Sequence, residues 1–248
     1  SSANGDPGKF FLFPKGALSY RLPGFFRGLD ELKLRVAVGQ SGNHPLVGQK
    51  FTALSGTRNI QGIPGLLTDG TAGDPDIRPE RQTEIEGGFD ATLFGTRATL
   101  TVTAFQKTID DLLLEREVAP SSGFVLQVFN GGSMRVRGLE LQLEAVPVQG
   151  AATWHSLTTF YADRSKVTDL PVPAFRTGGF GTALGAYEIR EGESGTQIVA
   201  NIAEGDSTVV RKVGDGMPDF RMGFSNTLTV GAFDVSALVD WQQGGTVV

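Results

Sequence analysis

Glu140, Gln142 and Glu144 alternate one by one with Leu139, Leu141 and Leu143. The same alternation sets Lys33 and Arg35 against Leu32, Leu34 and Val36. Glu84, Glu86 and Asp90 alternate with Ile85 and Phe89, and Asp234 and Asp240 lie opposite Phe233 and Trp241 in parity. Carboxylates, an amide and two cations spaced in this way offer contact chemistry. They can form ion pairs, donate or accept hydrogen bonds to a polar ligand, or hold water. Nothing in the pattern supplies a nucleophile with its base, so no covalent step is expected.

The other chemically capable residues are dispersed. His44 lies in a long Gly- and Pro-rich stretch and His155 in the middle of a strand pattern, with no converging partners in sequence. Asp69, Asp74 and Asp76 could lend oxygens to Ca²⁺, but their spacing is not that of an EF-hand loop, and solvated acids explain them more simply. Gly178-Gly179-Phe180-Gly181 lacks the Lys-Ser/Thr of a phosphate-binding loop. There is no cysteine, hence neither a disulfide nor a thiolate metal site. The sequence therefore predicts no catalytic residue, no metal and no cofactor.

Alternation at a period of two requires strands. Eight are predicted, each bounded by turn residues: about Phe10 to Tyr20, Leu29 to Gly39, Glu80 to Phe94, Arg97 to Leu113, the run Asn130 to Leu143 after its opening glycine turn, Ala152 to Asp163, Asp219 to Val230 and Phe233 to Gln243. The fold class is all-β, an antiparallel up-and-down meander. The 34 glycines and 12 prolines fit a chain rich in turns. Net charge is -5, which argues against a general nucleic-acid binder. The N-terminal Ser-Ser-Ala-Asn-Gly-Asp-Pro has no basic segment followed by an apolar core, so a secretion signal is not expected in this stretch.

Connections alternate in length. Short turns lie near Gly95, Gly150 and Gly231, and Pro23-Gly24 marks a slightly longer link. The stretches 40–79, 115–131 and 164–218 are long and rich in Gly, Pro, Ser and Asp. Loops of this length are uncommon in compact soluble domains. Their recurrence on one side only is the pattern of a transmembrane barrel, which hydropathy averages do not detect. On that reading the lipid-facing residues are Leu32, Leu34, Val36, Leu100, Val102, Leu139, Leu141, Leu143, Phe233 and Trp241. The lumen-facing ones are Lys33, Arg35, Glu84, Glu86, Asp90, Glu140, Gln142, Glu144, Asp234 and Asp240. A Lys or Arg held in mid-membrane lipid would cost about 2–4 kcal/mol, so these charges must meet water or one another. Phe233 and Trp241 stand about 19 Å apart in height on a tilted strand, near the height of an apolar band. A soluble all-β binding or adhesion module is the alternative from another class.

Five segments carry a family resemblance, in order. Leu34 to Asn43 ends in Gly-Gln-Ser-Gly-Asn and is similar to a strand ending in Gly-Gln-Thr-Gly-Asn. Asp74-Pro-Asp-Ile-Arg-Pro-Glu80 resembles Asn-Pro-Asp-Leu-Lys-Trp-Glu, with Pro79 in place of Trp. Asp110-Asp111-Leu112-Leu113 resembles Lys-Asp-Leu-Leu. Asn130 to Leu141 is similar to Asn-Val-Gly-Ser-Met-Arg-Asn-Lys-Gly-Val-Glu-Leu, and Gly214 to Phe220 to Gly-Asn-Pro-x-Pro-Lys-Phe. These segments resemble the barrel of SusC/RagA-type TonB-dependent outer-membrane transporters; residues 178–213 have no counterpart among the motifs.

The resemblance implies a barrel of about 22 strands around a plug. It also implies import of glycans, oligosaccharides or peptides across the outer membrane of a Bacteroidetes-like Gram-negative bacterium. The expected partners are outer-membrane lipids, a SusD-like surface lipoprotein, TonB and a small or oligomeric nutrient. A siderophore-type receptor of the same superfamily is the nearer alternative. With eight strands, residues 1–248 are expected to be a partial barrel domain, without plug or terminal strands, and without enzymatic activity.

Overall fold

The computed structural model of the chain describes residues 10–46, 48–60, 62–68, 70–178, 185–205 and 207–246. In chain order the strands are β1 (Lys15–Pro23), β2 (Leu29–Asn43), β3 (Leu54–Ile60), β4 (Ile63–Thr68), β5 (Thr71–Ala72) and β6 (Glu80–Leu93). Then come β7 (Ala98–Asp110), β8 (Leu113–Glu117), β9 (Leu126–Asn130), β10 (Ser133–Val148), β11 (Ala152–Asp169) and β12 (Phe175–Thr177). The last are β13 (Ala186–Ile189), β14 (Gln197–Glu204), β15 (Ser207–Asp215), β16 (Pro218–Val230) and β17 (Phe233–Gly244).

Eight of these build one antiparallel wall in the order β1-β2-β6-β7-β10-β11-β16-β17, the meander expected from the alternation. Short turns join β1 to β2, β6 to β7, β10 to β11 and β16 to β17 at one rim. At the β6–β7 turn the Asp30 carboxylate accepts hydrogen bonds from the Gly95 and Thr96 N–H groups at 2.7 and 3.1 Å. The turn is thereby tied to the β1–β2 rim. β1 and β17 are the two edges, and they do not pair with each other.

Some boundaries differ from expectation. The first strand starts at Lys15 and runs to Pro23, whereas Phe10 to Phe13 lie outside it. Pro14 has no N–H to give a ladder, and its carbonyl makes the last contact, accepting from Gln40 N–H. The strand expected after the glycine turn of residues 130–132 starts at Ser133. Asn130 closes β9, and its side chain bonds Arg78 N–H and the carbonyls of Arg78 and Asp111. One amide thus pins three connections together. The fourth strand stops at Asp110, because Asp111 turns to φ 57°.

The long connections, expected as loops, carry strands of their own. Among the described residues they form a β3–β4 hairpin, a three-stranded sheet β5-β9-β8, and a four-stranded sheet β12-β13-β14-β15. The buried hydrophobic residues sit mostly here: Ile77, Val128, Phe129, Leu170, Ile198, Val199 and Ala200. In the wall, Leu29, Ala91 and, at the far end of β11, Val167 are buried too. The far end of β11 outruns β16 and pairs with the loop segment instead: Val167 N–H donates to Glu193 O, and Gly192 N–H to Val167 O, each at 2.8 Å.

The register is continuous across the wall. Tyr20, Leu34, Phe89, Val102, Leu141, Phe160, Met222 and Trp241 are successive partners in one row. The adjacent row, on the opposite face, is Arg21, Lys33, Asp90, Thr101, Gln142, Thr159, Gly223 and Asp240. Four irregularities interrupt the pairing, between Leu29 and Glu31, between Ala145 and Val148, between Ser133 and Met134, and between Pro218 and Phe220. The second is held by Arg97, whose guanidinium donates to the carbonyls of Val146 and Pro147.

Candidate functional site

The register brings all ten predicted polar residues onto one face. Lys33, Asp90, Gln142 and Asp240 share a row. Arg35 lies level with Glu140, and Glu84, Glu86, Glu144 and Asp234 occupy rows of the same parity. The ten predicted apolar residues occupy the opposite face: Leu32 is level with Leu100 and Leu143, Val36 with Leu139, and Phe233 with Val230.

Ion pairs knit the polar face on β2, β6 and β7. Arg35 Nη2 lies 3.0 Å from Asp90 Oδ1 and donates to Thr103 Oγ1 at 3.1 Å, and Lys33 Nζ lies 3.5 Å from Asp90 Oδ2. Thr103 is two strands away from Arg35. The guanidinium spans the gap because Gly88 stands between them in the row, with no side chain in its path. A Cβ there would also collide with the Val102 carbonyl. Arg35 Nε is buried without a hydrogen-bond partner among the described residues. Lys107 Nζ pairs with Glu84 at 3.6 Å. These side chains remain a quarter to a third exposed, so each pair contributes about 1 kcal/mol or less.

Further along, Gly138 lies under the Phe105 ring, whose edge atoms would meet any added Cβ. Tyr161 stacks beside Phe105 with ring centroids 6.5 Å apart. Gln142 donates to Glu144 at 2.9 Å, and Asp234 accepts from Thr229 Oγ1 at 2.6 Å. Small residues of β1 and β2 leave a groove of about 460 Å³ bordered by Lys15, Gly39, Gln82, Glu84 and Glu86. His155 borders a smaller hollow with Glu144, Ser225 and Thr227 near the short turns. His44 is exposed at the other rim. Among the described residues no three His, Asp or Glu converge as metal ligands. Asp76 N–H donates to Asp74 Oδ1 at 2.9 Å, and Asp69 and Gly179 to Gly181 lie outside the described residues.

On the long-loop side a cavity of about 870 Å³ opens between β8 and β12, lined by residues such as Leu114, Glu115, Arg116, Pro173, Phe175 and Arg176. The four-stranded sheet beside it is held by a polar cluster. Asp215 accepts from Thr196 Oγ1 at 2.6 Å and from Met217 N–H at 3.0 Å. Burial alone would raise the Asp215 carboxyl, but these bonds and that of Ser194 outweigh it and hold it below the usual range. The hydrogen bond and charge of Lys212, 2.8 Å away, likewise lower Glu193.

Lys107 and Arg221 also belong to the polar face, as does the Phe105–Tyr161 pair. Parity with Thr101 and Thr103 could have found Lys107. Nothing local marks Phe105 as the cover of Gly138, since the two meet only through pairing.

An apolar face left uncovered across eight strands, opposite a charged face, with short turns at one rim and folded connections at the other, defines a wall section of a membrane β-barrel. The TonB dependent receptor-like, beta-barrel family model matches residues 1–236, and the chain belongs to that family of outer-membrane barrels. Relatives include TonB-dependent receptors P26 and P3 of Formosa agariphila, 26% and 24% identical over 100% and 97% of this chain. The chain spans 29% of the length of each. The RagAB peptide importer in its open-open state superposes with a TM-score of 0.75 at 19% identity, over 94% of this chain and 28% of that one. Its closed-closed state gives 0.74, again over 94% of this chain. At that identity the likeness concerns the fold.

Proposed function

We propose that this chain is part of the barrel wall of a TonB-dependent importer in the outer membrane of a Gram-negative bacterium. Its apolar face meets lipid and its polar face lines the lumen. The observation that carries this reading is the exposure of the apolar rows. Val36 is 50% exposed, Leu143 40%, Phe233 76% and Trp241 47%, while most of the buried core lies among the connections. A sheet in water covers one face against a second layer. Here the layer is supplied by acyl chains.

The edge strands β1 and β17 then pair with further strands of the same barrel, around a plug, and the chain by itself transports nothing. The cargo is a polar oligomer, a peptide or an oligosaccharide, taken up without covalent chemistry. The cavity between β8 and β12 lies on the cell-surface side, where a SusD-like lipoprotein would deliver it, and TonB would act from the opposite rim.

Spin labels at Leu139 and Glu140 of the full-length receptor test the orientation. Lipid contact at 139 and water contact at 140 are expected. Equal water access at both positions refutes the wall assignment.

A further inference from the structure

The outward face changes character abruptly above Leu139. Two rows of the wall on the long-loop side of that residue contain no acid between β2 and β11. In the upper row, Gln40, Thr83 and Thr108 lead to Arg135, which is paired directly with Lys166. In the lower, Gln106 leads to Arg137, which is paired with Arg164. Two cross-strand pairs of like charge are thus stacked on neighbouring strands. Such pairs repel, so an isolated protein gains nothing from them.

Internal compensation is partial. Arg164 is neutralised by Asp219 at 2.6 Å, and Arg137 donates from Nε to Gln106 Oε1 at 2.7 Å. Glu193, the acid that acts on Lys166, is already bonded to Lys212. No ion pair reaches Arg135 or Lys166 among the described residues. Arg137, Arg164 and Lys166 are exposed or half-exposed and Arg135 is half-buried. The row next below is Val36, Gly87, Ala104, Leu139 and Ala162, the start of the apolar band. A ligand here meets cations at one end and an apolar wall at the other.

We infer that Arg135, Arg137 and Lys166, backed by Arg164, form a docking site for the phosphorylated headgroup of an outer-leaflet lipid, whose acyl chains lie along the Leu139 to Leu143 stripe. The inference rests on the outward orientation proposed above. Long cationic side chains at the rim of an apolar band extend toward headgroups, and each adds to the attraction for anionic lipid. A free anion would use the cations and ignore the stripe beneath. A phosphorylated lipid uses both.

The test uses the full-length receptor in neutral detergent, titrated with lipid A, with dephosphorylated lipid A and with inorganic phosphate, and read by native mass spectrometry. Lipid A should bind, and R135Q/K166Q should weaken it about thirty-fold, from the contribution of two cations. R135K/K166R should retain binding, which separates lost charge from lost fold. Dephosphorylated lipid should bind the native receptor as weakly as lipid A binds R135Q/K166Q. Equal binding of lipid A to native receptor and R135Q/K166Q overturns the site. So does displacement of the lipid by an equal concentration of inorganic phosphate, which would mark a free-anion site. A spin label at Leu141 separates the two levels: label in lipid with no lipid A discrimination refutes the headgroup site alone, whereas label in water refutes the wall reading beneath it.

Discussion

Leu141 occupies the middle of the apolar face, between Val102 on β7 and Phe160 on β11 in its row. Replacing it with arginine places a cation where its row offers no polar partner. The nearest outward charged level is that of Arg137, four residues along the strand. At about 3.3 Å per residue and a tilt near 45°, this is roughly 9 Å of height, more than the new side chain can climb without distorting the bilayer. The expected cost of L141R is about 2–4 kcal/mol. Q142R, one residue on, puts the same charge on the opposite face beside Glu144 and should cost close to nothing. Both are compared in the full-length receptor by reversible guanidinium unfolding in phospholipid vesicles, followed by tryptophan fluorescence. If Q142R is as damaging as L141R, or more so, the assignment of the faces is wrong.

Four further outcomes are expected. Gly88→Val should destabilise the receptor by about 2–3 kcal/mol, because its side chain meets the Val102 carbonyl and blocks Arg35 from Thr103, and thermal melts of the reconstituted protein would measure it. D90N, which leaves Lys33 and Arg35 without their shared carboxylate, should cost about 1 kcal/mol, with the difference shrinking in high salt. Asp215 has a lowered folded pKa, so its contribution to the loop sheet is present above the ordinary aspartate value and is lost as pH falls through the folded one. Hydrogen-exchange protection in Gln197 to Asp215, taken relative to the intrinsic rate at each pH, should therefore fall in acid, and D215N should remove that acid dependence. Protease added to whole cells should cut within residues 40–79 or 164–218 and spare the turns at Gly95 and Gly231.

The wall was legible in the sequence because its information is local. Alternation along β2, β6, β10 and β17 names both faces without knowledge of the pairing. Strand ends were less legible where a single residue decides them: Pro14 by lacking a donor, Asp111 by its positive φ. The folded connections were not legible. β12, β13 and the two-residue β5 are too short for a period to emerge, and the burial of Val128 and Ile198 depends on the pairing of their strands with neighbours that no local pattern marks. The polar set was found by parity, but its bonding was not. Arg35 reaches Thr103 across Gly88, and Gly138 sits beneath Phe105, only because the strands adopt this register. The cluster around Arg135 is likewise invisible until β10 and β11 are aligned.

The four irregularities in the ladder fix where the wall tolerates changes of length. Odd-numbered residues of β10 are apolar-facing up to Ala145, yet beyond the break Val148 pairs with Trp154 and shares its side. Leu29 is likewise brought level with Leu93. Each break consumes one extra residue and reverses the phase of the strand beyond it, and at these two the hydrophobic residue nearest the short-turn rim still points outward. Between the breaks no such slack exists. Inserting or deleting one residue inside β7 or β16 would turn the rest of that strand inside out, carrying charges to one side and leucines to the other. Two residues together would preserve the faces and change only the strand's reach. Viable length variants of this wall should therefore change by even numbers within strands, by single residues only beside the breaks, and by any number in the connections.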